Sequence, residues 1–182
     1  MTPQIYSDQF KKYASFCPDY PGTHLRKIAS GVYSSKTNRT ETLMKNIPHD
    51  MMRGISIHCY VVPGDNWNYK GSATHFDEQE YFTSLKKTLL MDTLICEHSA
   101  VMDKYDPVTK VALCVDEWGI WTDVEPGTNK NFLCQQHSLR DGLLAASILN
   151  IFNNNSDRVP HLKCQDNFVS DVIRNPSIKE GL

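Results

Sequence analysis

Apolar and polar residues follow two different rhythms along this chain, and the switches between them outline its elements. Thr2 followed by Pro3 offers an N-cap hydroxyl and a first-turn proline, which predicts a helix to about Phe16. A stretch rich in turn residues, Cys17 to Thr23, holds two prolines and a glycine, and His24 to Ser30 is the first strand candidate. Thr40 to Asn46 reads as a short helix. Gly54 to Tyr60, GISIHCY, reads as a second strand; period-2 alternation puts Ser56, His58 and Tyr60 on one face and Ile55, Ile57 and Cys59 on the other. Asp77, with Glu80 three residues on, forms a capping box for a helix whose apolar positions Phe82, Leu85, Leu89 and Leu90 recur at helical spacing towards Tyr105. Asp106-Pro107 stops that helix. Val111 to Val115 is a continuous apolar run of the kind that strands buried on both faces show. Phe132 to Asn150 carries a further helical pattern, and Arg158 to Leu162 is a weaker strand candidate because Pro160 cannot donate to a ladder.

Helices alternating with buried strands predict an α/β fold with a parallel sheet, either open or closed into a barrel. No glycine-rich phosphate loop supports the open, nucleotide-binding version. The two long loops, Val61 to Phe76 and Gly119 to Lys130, follow strands and resemble instead the face of a (β/α)8 barrel where active sites are built. A complete barrel takes about 250 residues, whereas this chain has 182. The expectation is therefore a partial (β/α)8 TIM barrel of about four βα units.

Composition narrows the function classes. Lys plus Arg number 19 against 21 Asp plus Glu, a formal net charge of -2, which excludes a strongly basic nucleic-acid binder. No apolar run approaches the roughly 18 residues of a membrane span, and the N-terminus lacks the apolar stretch of a signal peptide. A cytoplasmic protein with no nucleic-acid or membrane partner is expected. The six cysteines form no CxxC pair and none has finger spacing to a histidine, so they read as reduced structural thiols, with no metal and no cofactor.

The sharpest chemistry lies at the end of the third strand, Val115-Asp116-Glu117-Trp118-Gly119. Strict alternation places Val111, Leu113, Val115 and Glu117 on one face and sends Asp116 to the other. Glu117 would then point into a site flanked by Trp118 and Trp121. A carboxylate beside aromatic walls suits glycoside chemistry: an anion for an oxocarbenium-like sugar, and flat faces for its C–H surfaces. The plain alternative is a strand-ending acid that caps a helix or pairs with an arginine. A tyrosine such as Tyr60, within reach of that carboxylate, would hydrogen-bond and orient its charged form.

These residues carry a resemblance. VDEWGIWTDVEPGTN and LRDGLLAASILNIFNN, with SIHCYVVPGDNWNYKGSATHFDEQEYFTSLKKTLLMDTLICEHSAVMDKYDP upstream, are similar to the nucleophile region and the preceding strand and helix of glycoside hydrolase family 51, the intracellular α-L-arabinofuranosidases. The likeness spans about residues 1 to 159. It implies a retaining exo-hydrolase with a (β/α)8 barrel and a β-sandwich beside it, removing terminal α-L-arabinofuranosyl groups from arabinoxylan and arabinan oligosaccharides. By the same resemblance Glu117 falls on the nucleophile, Tyr60 on the tyrosine that orients it, His58 on an active-site histidine, and Trp121 on a tryptophan lining the sugar pocket; Trp118 is a supporting residue.

The departures are specific. The family's general acid/base is a glutamate in an Asn-Glu pair on an earlier strand, and no Asn-Glu pair occurs in these 182 residues. Cys59 stands where the family has an aromatic. Residues 160–182 diverge from the pattern, Gln165 is a loose counterpart of a substrate-contacting glutamine, and the β-sandwich has no counterpart. The expectation is thus a barrel segment at 1–159 and a divergent tail at 160–182, carrying the nucleophile side of the site and completed by a second copy or a separate N-terminal half. The alternatives are a non-catalytic half-barrel partner and an inactive remnant.

Overall fold

The computed structural model describes residues 1–22, 24–33, 35–64, 66–129 and 136–159. The divergent tail, Gln165, Cys134 and the N-terminal part of the helix expected from Phe132 lie outside them. The fold is α/β, with elements in the order α1 (Pro3–Ser15), β1 (Ile28–Val32), α2 (Asn38–Asn46), β2 (Gly54–Val61), α3 (Glu78–Lys87), α4 (Leu89–Met102), β3 (Ala112–Ile120) and α5 (Leu139–Asn154). The described strands form one small parallel sheet in the order β1-β2-β3. Among the described residues no helix is long and apolar enough to cross a membrane.

Both flanking strands take more residues than β2. Along β1, Ala29 faces Ile55 and Val32 faces Ile57, so three steps on β1 match two on β2. Gly31 lies in this irregularity because nothing larger fits: a Cβ there would sit 1.8 Å from the carbonyl oxygen of Ser56. Backbone meets backbone at that point, so neither side can give by a rotamer change. Gly31→Ala is expected to force β1 off β2 and lower stability by at least about 2 kcal/mol, read as a shift of the urea midpoint. On the other side, Ala112 N donates to Arg53 O and Trp121 N to Val61 O, each at 2.9 Å. From Ala112 to Trp121 is nine residues and from Arg53 to Val61 eight, so β3 carries one residue too many, a bulge.

The described residues divide into two compact units, one built from Met1–His58, Thr93–Asp116 and residues 155–159, the other from Cys59–Asp92 and the described part of Glu117–Asn154. In the first, Thr2 caps α1 by accepting from Ile5 N at 3.3 Å. The Tyr6 hydroxyl of α1 accepts from Ser30 N at 2.7 Å, and the Arg39 guanidinium lies 4.4 Å from the Tyr6 ring centre, which ties α1, β1 and α2 together. Ala29, Ile55, Ile57, Leu113 and Val115 fill the core. Buried Thr40 and His98 satisfy one another at 2.8 Å. Arg158 donates to Val111 O at 3.1 Å and to Asp103, and Leu113 N donates to Arg158 O, so Arg158 lies against β3; the rest of the strand expected from Arg158 to Leu162 lies outside the described residues beyond Val159.

In the second unit, Met91, Trp118, Ile120, Leu144, Ile148 and Phe152 form the core. The capping box at Asp77 and Glu80 is present with both reciprocal bonds. The single helix expected from there to Tyr105 is two, because the Thr88 hydroxyl bonds back to Leu85 O at 2.7 Å and interrupts the ladder. The expected apolar stripe is also not the buried one. Phe82, Leu89 and Leu90 are exposed, while Ser84, Thr88 and Met91 are buried. The first strand is likewise four residues later than His24, since its position is decided by pairing with Gly54 and Ile55 and not by the apolar content of His24 to Lys27.

Candidate functional site

The bulge in β3 changes where its two carboxylates go. Along the strand Leu113, Cys114 and Val115 are buried in succession, then two half-buried residues follow one another, Asp116 and Glu117, before Trp118, Gly119 and Ile120 are buried. Asp116 accepts from the Ser56 hydroxyl at 2.6 Å and lies 3.2 Å from His58 Nε2. Glu117 Oε2 accepts from the Tyr60 hydroxyl at 3.3 Å. Ser56, His58 and Tyr60 are the alternate residues of β2, so both acids take partners from one set. Strict alternation had separated them, placing Glu117 with Val115. The extra residue in β3 is the physical reason that expectation fails.

In the first unit Ser56, His58 and Asp116 form a closed trio, with Ser56 Oγ also 3.2 Å from His58 Nε2. Serine and aspartate meet the same ring nitrogen. A nucleophilic triad requires them on opposite nitrogens of the imidazole, so this trio holds side chains in place and does not activate the serine.

In the second unit Glu117 stands at the end of a chain of aromatic edges. The Tyr60 ring meets Trp121 edge-on, centroids 4.9 Å apart at 75°. Trp121 in turn meets Trp67 at 5.4 Å and 84°. Trp118 is elsewhere: only 2% exposed, it packs on Phe152 of α5 at 5.2 Å and 84°. It belongs to the core and does not flank Glu117, because neighbouring residues of a strand point to opposite faces. Cys59 is also buried, and burial pushes its thiol up to about 11.

The loop after β2 is held by carboxylates of the loop after β3. Asp123 accepts from the backbone N–H groups of Lys70 and Gly71 at 2.9 and 3.2 Å. Glu125 Oε1 accepts from the Ser72 hydroxyl at 2.5 Å and from the N–H groups of Ala73 and Thr74 at 2.7 and 3.0 Å. These bonds, the Ser72 hydroxyl first, hold the Glu125 carboxyl below its ordinary value of 4.5. A lowered value in the folded state means that the anchoring stabilises fully above that ordinary value and fades as pH falls through the folded one. Glu125→Gln is therefore expected to lower the melting temperature at pH 7, with the gap to wild type closing as the pH is taken well below 4.5; a pH series of thermal melts reads it. Lys87 Nζ completes the anchoring by donating to the carbonyls of Val62, Pro63 and Gly64 at 2.8 to 3.0 Å.

Asp123, Glu125 and Trp67 were not singled out by sequence reasoning. The signal available was the length of both loops and the runs DNW and WTDVEPGTN, in which an aromatic stands beside carboxylates and turn residues.

Comparisons with known proteins agree with this part of the chain. The family described as Alpha-L-arabinofuranosidase C-terminal domain matches residues 116–164. An intracellular exo-alpha-L-arabinofuranosidase of Bacteroides ovatus is 41% identical over 160 residues, which is 87% of this chain and 30% of that protein. The crystal structure of the GH51 arabinofuranosidase from Xanthomonas axonopodis pv. citri is similar with a TM-score of 0.83 and 42% identity over 90% of this chain and 32% of that one. A family 51 alpha-L-arabinofuranosidase from Bifidobacterium longum shares the fold, with a TM-score of 0.65 at 18% identity. The chain thus spans about a third of the length of the relatives it matches, and its resemblance to family 51 arabinofuranosidases is shown over that span.

Proposed function

We propose that the likeness to family 51 arabinofuranosidases extends to chemistry, and that this chain carries the nucleophile side of a retaining α-L-arabinofuranosidase site on the latter part of a (β/α)8 barrel. The observation that carries the reading is the Tyr60 hydroxyl on Glu117 Oε2 with Trp121 against the same tyrosine. A nucleophilic carboxylate must be ionised and aimed. A phenol that donates to one oxygen fixes the carboxylate's orientation and leaves the other oxygen to attack the anomeric carbon. Trp121 offers an apolar wall for the ring of the arabinofuranosyl group. Retention then needs a second carboxyl group about 5 Å away to protonate the leaving oxygen and later to activate water. With no Asn-Glu pair in these 182 residues, that group comes from outside them, and Glu117 performs half of the reaction.

The substrates under this reading are arabinoxylan and arabinan oligosaccharides with terminal α-L-arabinofuranosyl groups, in the cytoplasm. His58, held with Ser56 by Asp116, serves as a positioning residue. The described strands number three and a (β/α)8 barrel needs eight, which favours a completing partner, either a second copy or a separate barrel half; a non-catalytic partner role rests on the same observation. The test is hydrolysis of an aryl α-L-arabinofuranoside by the chain alone and after co-expression with a barrel half bearing an Asn-Glu pair. Activity is expected only with both. Robust turnover by the chain alone, abolished by Glu117→Gln, would show that the second carboxyl is already here.

A further inference from the structure

Three consecutive backbone carbonyls in the second unit, those of Val62, Pro63 and Gly64, converge on one point, and the Lys87 ammonium occupies it at 2.8, 3.0 and 2.9 Å. Successive carbonyls of an extended chain alternate in direction, so three in a row meet only where the backbone curls. The sequence builds that curl. Pro63 fixes its own φ and brings no N–H into the turn. Gly64 N donates to Lys70 O at 2.9 Å, and a Cβ on Gly64 would lie 2.1 Å from Tyr69 O, so only glycine fits. Lys87 is the last residue of α3. A lysine in that position commonly bonds the last carbonyls of its own helix; this one reaches back 23 to 25 residues to the loop.

Donors and acceptors match in number: an ammonium has three N–H groups and no acceptor, and three carbonyls meet it. These ligands are neutral dipoles, which suits a single positive charge, whereas divalent ions take carboxylates. Backbone carbonyls gathered in this way are also what replaces the hydration shell of potassium. Without a cation the three oxygens face one another unpaired, and the turn opens to reach water. From this we infer that Val62, Pro63 and Gly64 form a monovalent-cation site which the chain fills with its own side chain: the Lys87 ammonium is a tethered cation, and free ammonium or potassium closes the same turn once that side chain is removed. The site begins the loop directly after β2, the strand that carries Tyr60, so the cation sets where the loop leaves the sheet. The inference goes beyond the arabinofuranosidase reading and its test uses no sugar, so either can fail without the other.

The experiment follows exchange of the Gly64 amide hydrogen by NMR in the purified chain, wild type and Lys87→Ala, in tetramethylammonium, ammonium or potassium chloride at equal ionic strength. In tetramethylammonium, which is too bulky for the cage and has no N–H, Gly64 is expected to exchange about tenfold or more faster in Lys87→Ala than in wild type, because losing charge-assisted bonds opens the turn locally. Ala73 and Thr74, whose N–H groups Glu125 holds, keep their protection. A side chain on a short tether acts at an effective concentration in the millimolar range, so ammonium or potassium at about 100 mM is expected to restore most of the protection, saturably. Lys87→Met keeps the stem without the charge; it loses the protection and regains none from either ion, since its methyl group stands where the ion would. Wild-type exchange in Lys87→Ala with tetramethylammonium overturns the inference, because no cation is then needed. Equal exchange in all three salts overturns it too, as does full protection in Lys87→Met, which would show that packing of the stem closes the turn. A Lys87→Ala chain that folds in none of the salts counts against it, and one that folds only with ammonium or potassium supports it.

Discussion

Glu117→Gln is expected to abolish arabinosyl transfer in the enzyme assembled from this chain and an acid/base-bearing half, lowering kcat by on the order of 10⁴-fold or more. The amide is nearly isosteric and can still accept from the Tyr60 hydroxyl, which lies 3.3 Å from Oε2. Folding and substrate binding should therefore survive, so that KM changes little while kcat falls. What disappears is the electron pair that forms the bond to the anomeric carbon. Glu117→Ala separates this from a merely electrostatic role. In the space left by the carboxylate, added azide attacks from the same side and yields the arabinosyl azide of inverted configuration, measurable by chromatography. Tyr60→Phe gives a smaller loss, because the carboxylate stays and loses only an orienting bond of about 1 kcal/mol.

The largest expected effect on stability belongs to Arg140. Its side chain is fully enclosed at the start of α5, with Nε 3.2 Å from Asp141, which is itself 4% exposed. Nη2 donates to the carbonyls of Ser72 and Ala73 at 3.3 and 3.4 Å, and the guanidinium stacks 3.8 Å from the Phe76 ring centre. One cation thus joins α5 to the loop that Glu125 also anchors. Arg140→Met fills much of the volume but leaves the buried Asp141 carboxylate without the guanidinium, though Ser138 N still donates to it, and removes the Nη2 donor from the carbonyls of Ser72 and Ala73. Breaking one side of a buried pair costs roughly 3–5 kcal/mol, and a chemical denaturation curve should show it as a large drop in midpoint. Arg140→Lys keeps the charge but not the fork, and falls between. Arg140→Met with Asp141→Leu should recover part of the loss, since the orphaned charge is then gone.

The parts of the fold that were legible in the sequence are those with a local chemical cause. The Thr2-Pro3 start of α1 and the reciprocal Asp77–Glu80 box are both decided by hydrogen bonds within one turn. The strand GISIHCY is marked by β-branched residues and lies within one residue of its expected end. Differences arise where the apolar pattern and the hydrogen bonds of single side chains disagree. Helix α5 begins at Leu139, where Asp141 accepts from Ser138 N at 2.9 Å; the Ser138-x-x-Asp141 pattern was readable, but the longer apolar run from Phe132 masked it. The broken helix at Thr88 depends on a hydroxyl turning back to its own backbone and reaching Ser147 at 3.0 Å. The site was half legible. Glu117, Tyr60 and Trp121 were named from residue type and resemblance, whereas the bulge that brings Asp116 and Glu117 to one set of β2 side chains leaves no mark in a period-2 pattern.

The central claim is that Glu117 is the atom source for a covalent bond to an arabinofuranosyl group, and one measurement addresses it without any second carboxyl. A 2,4-dinitrophenyl α-L-arabinofuranoside has a leaving group stable enough to depart unprotonated, so the first half-reaction needs only the nucleophile. With no acid/base to activate water, the resulting ester should persist. Peptide mass spectrometry of the treated chain is predicted to show one anhydropentose on Glu117, absent in Glu117→Gln. An unmodified Glu117, with the sugar absent or attached elsewhere, would contradict the account.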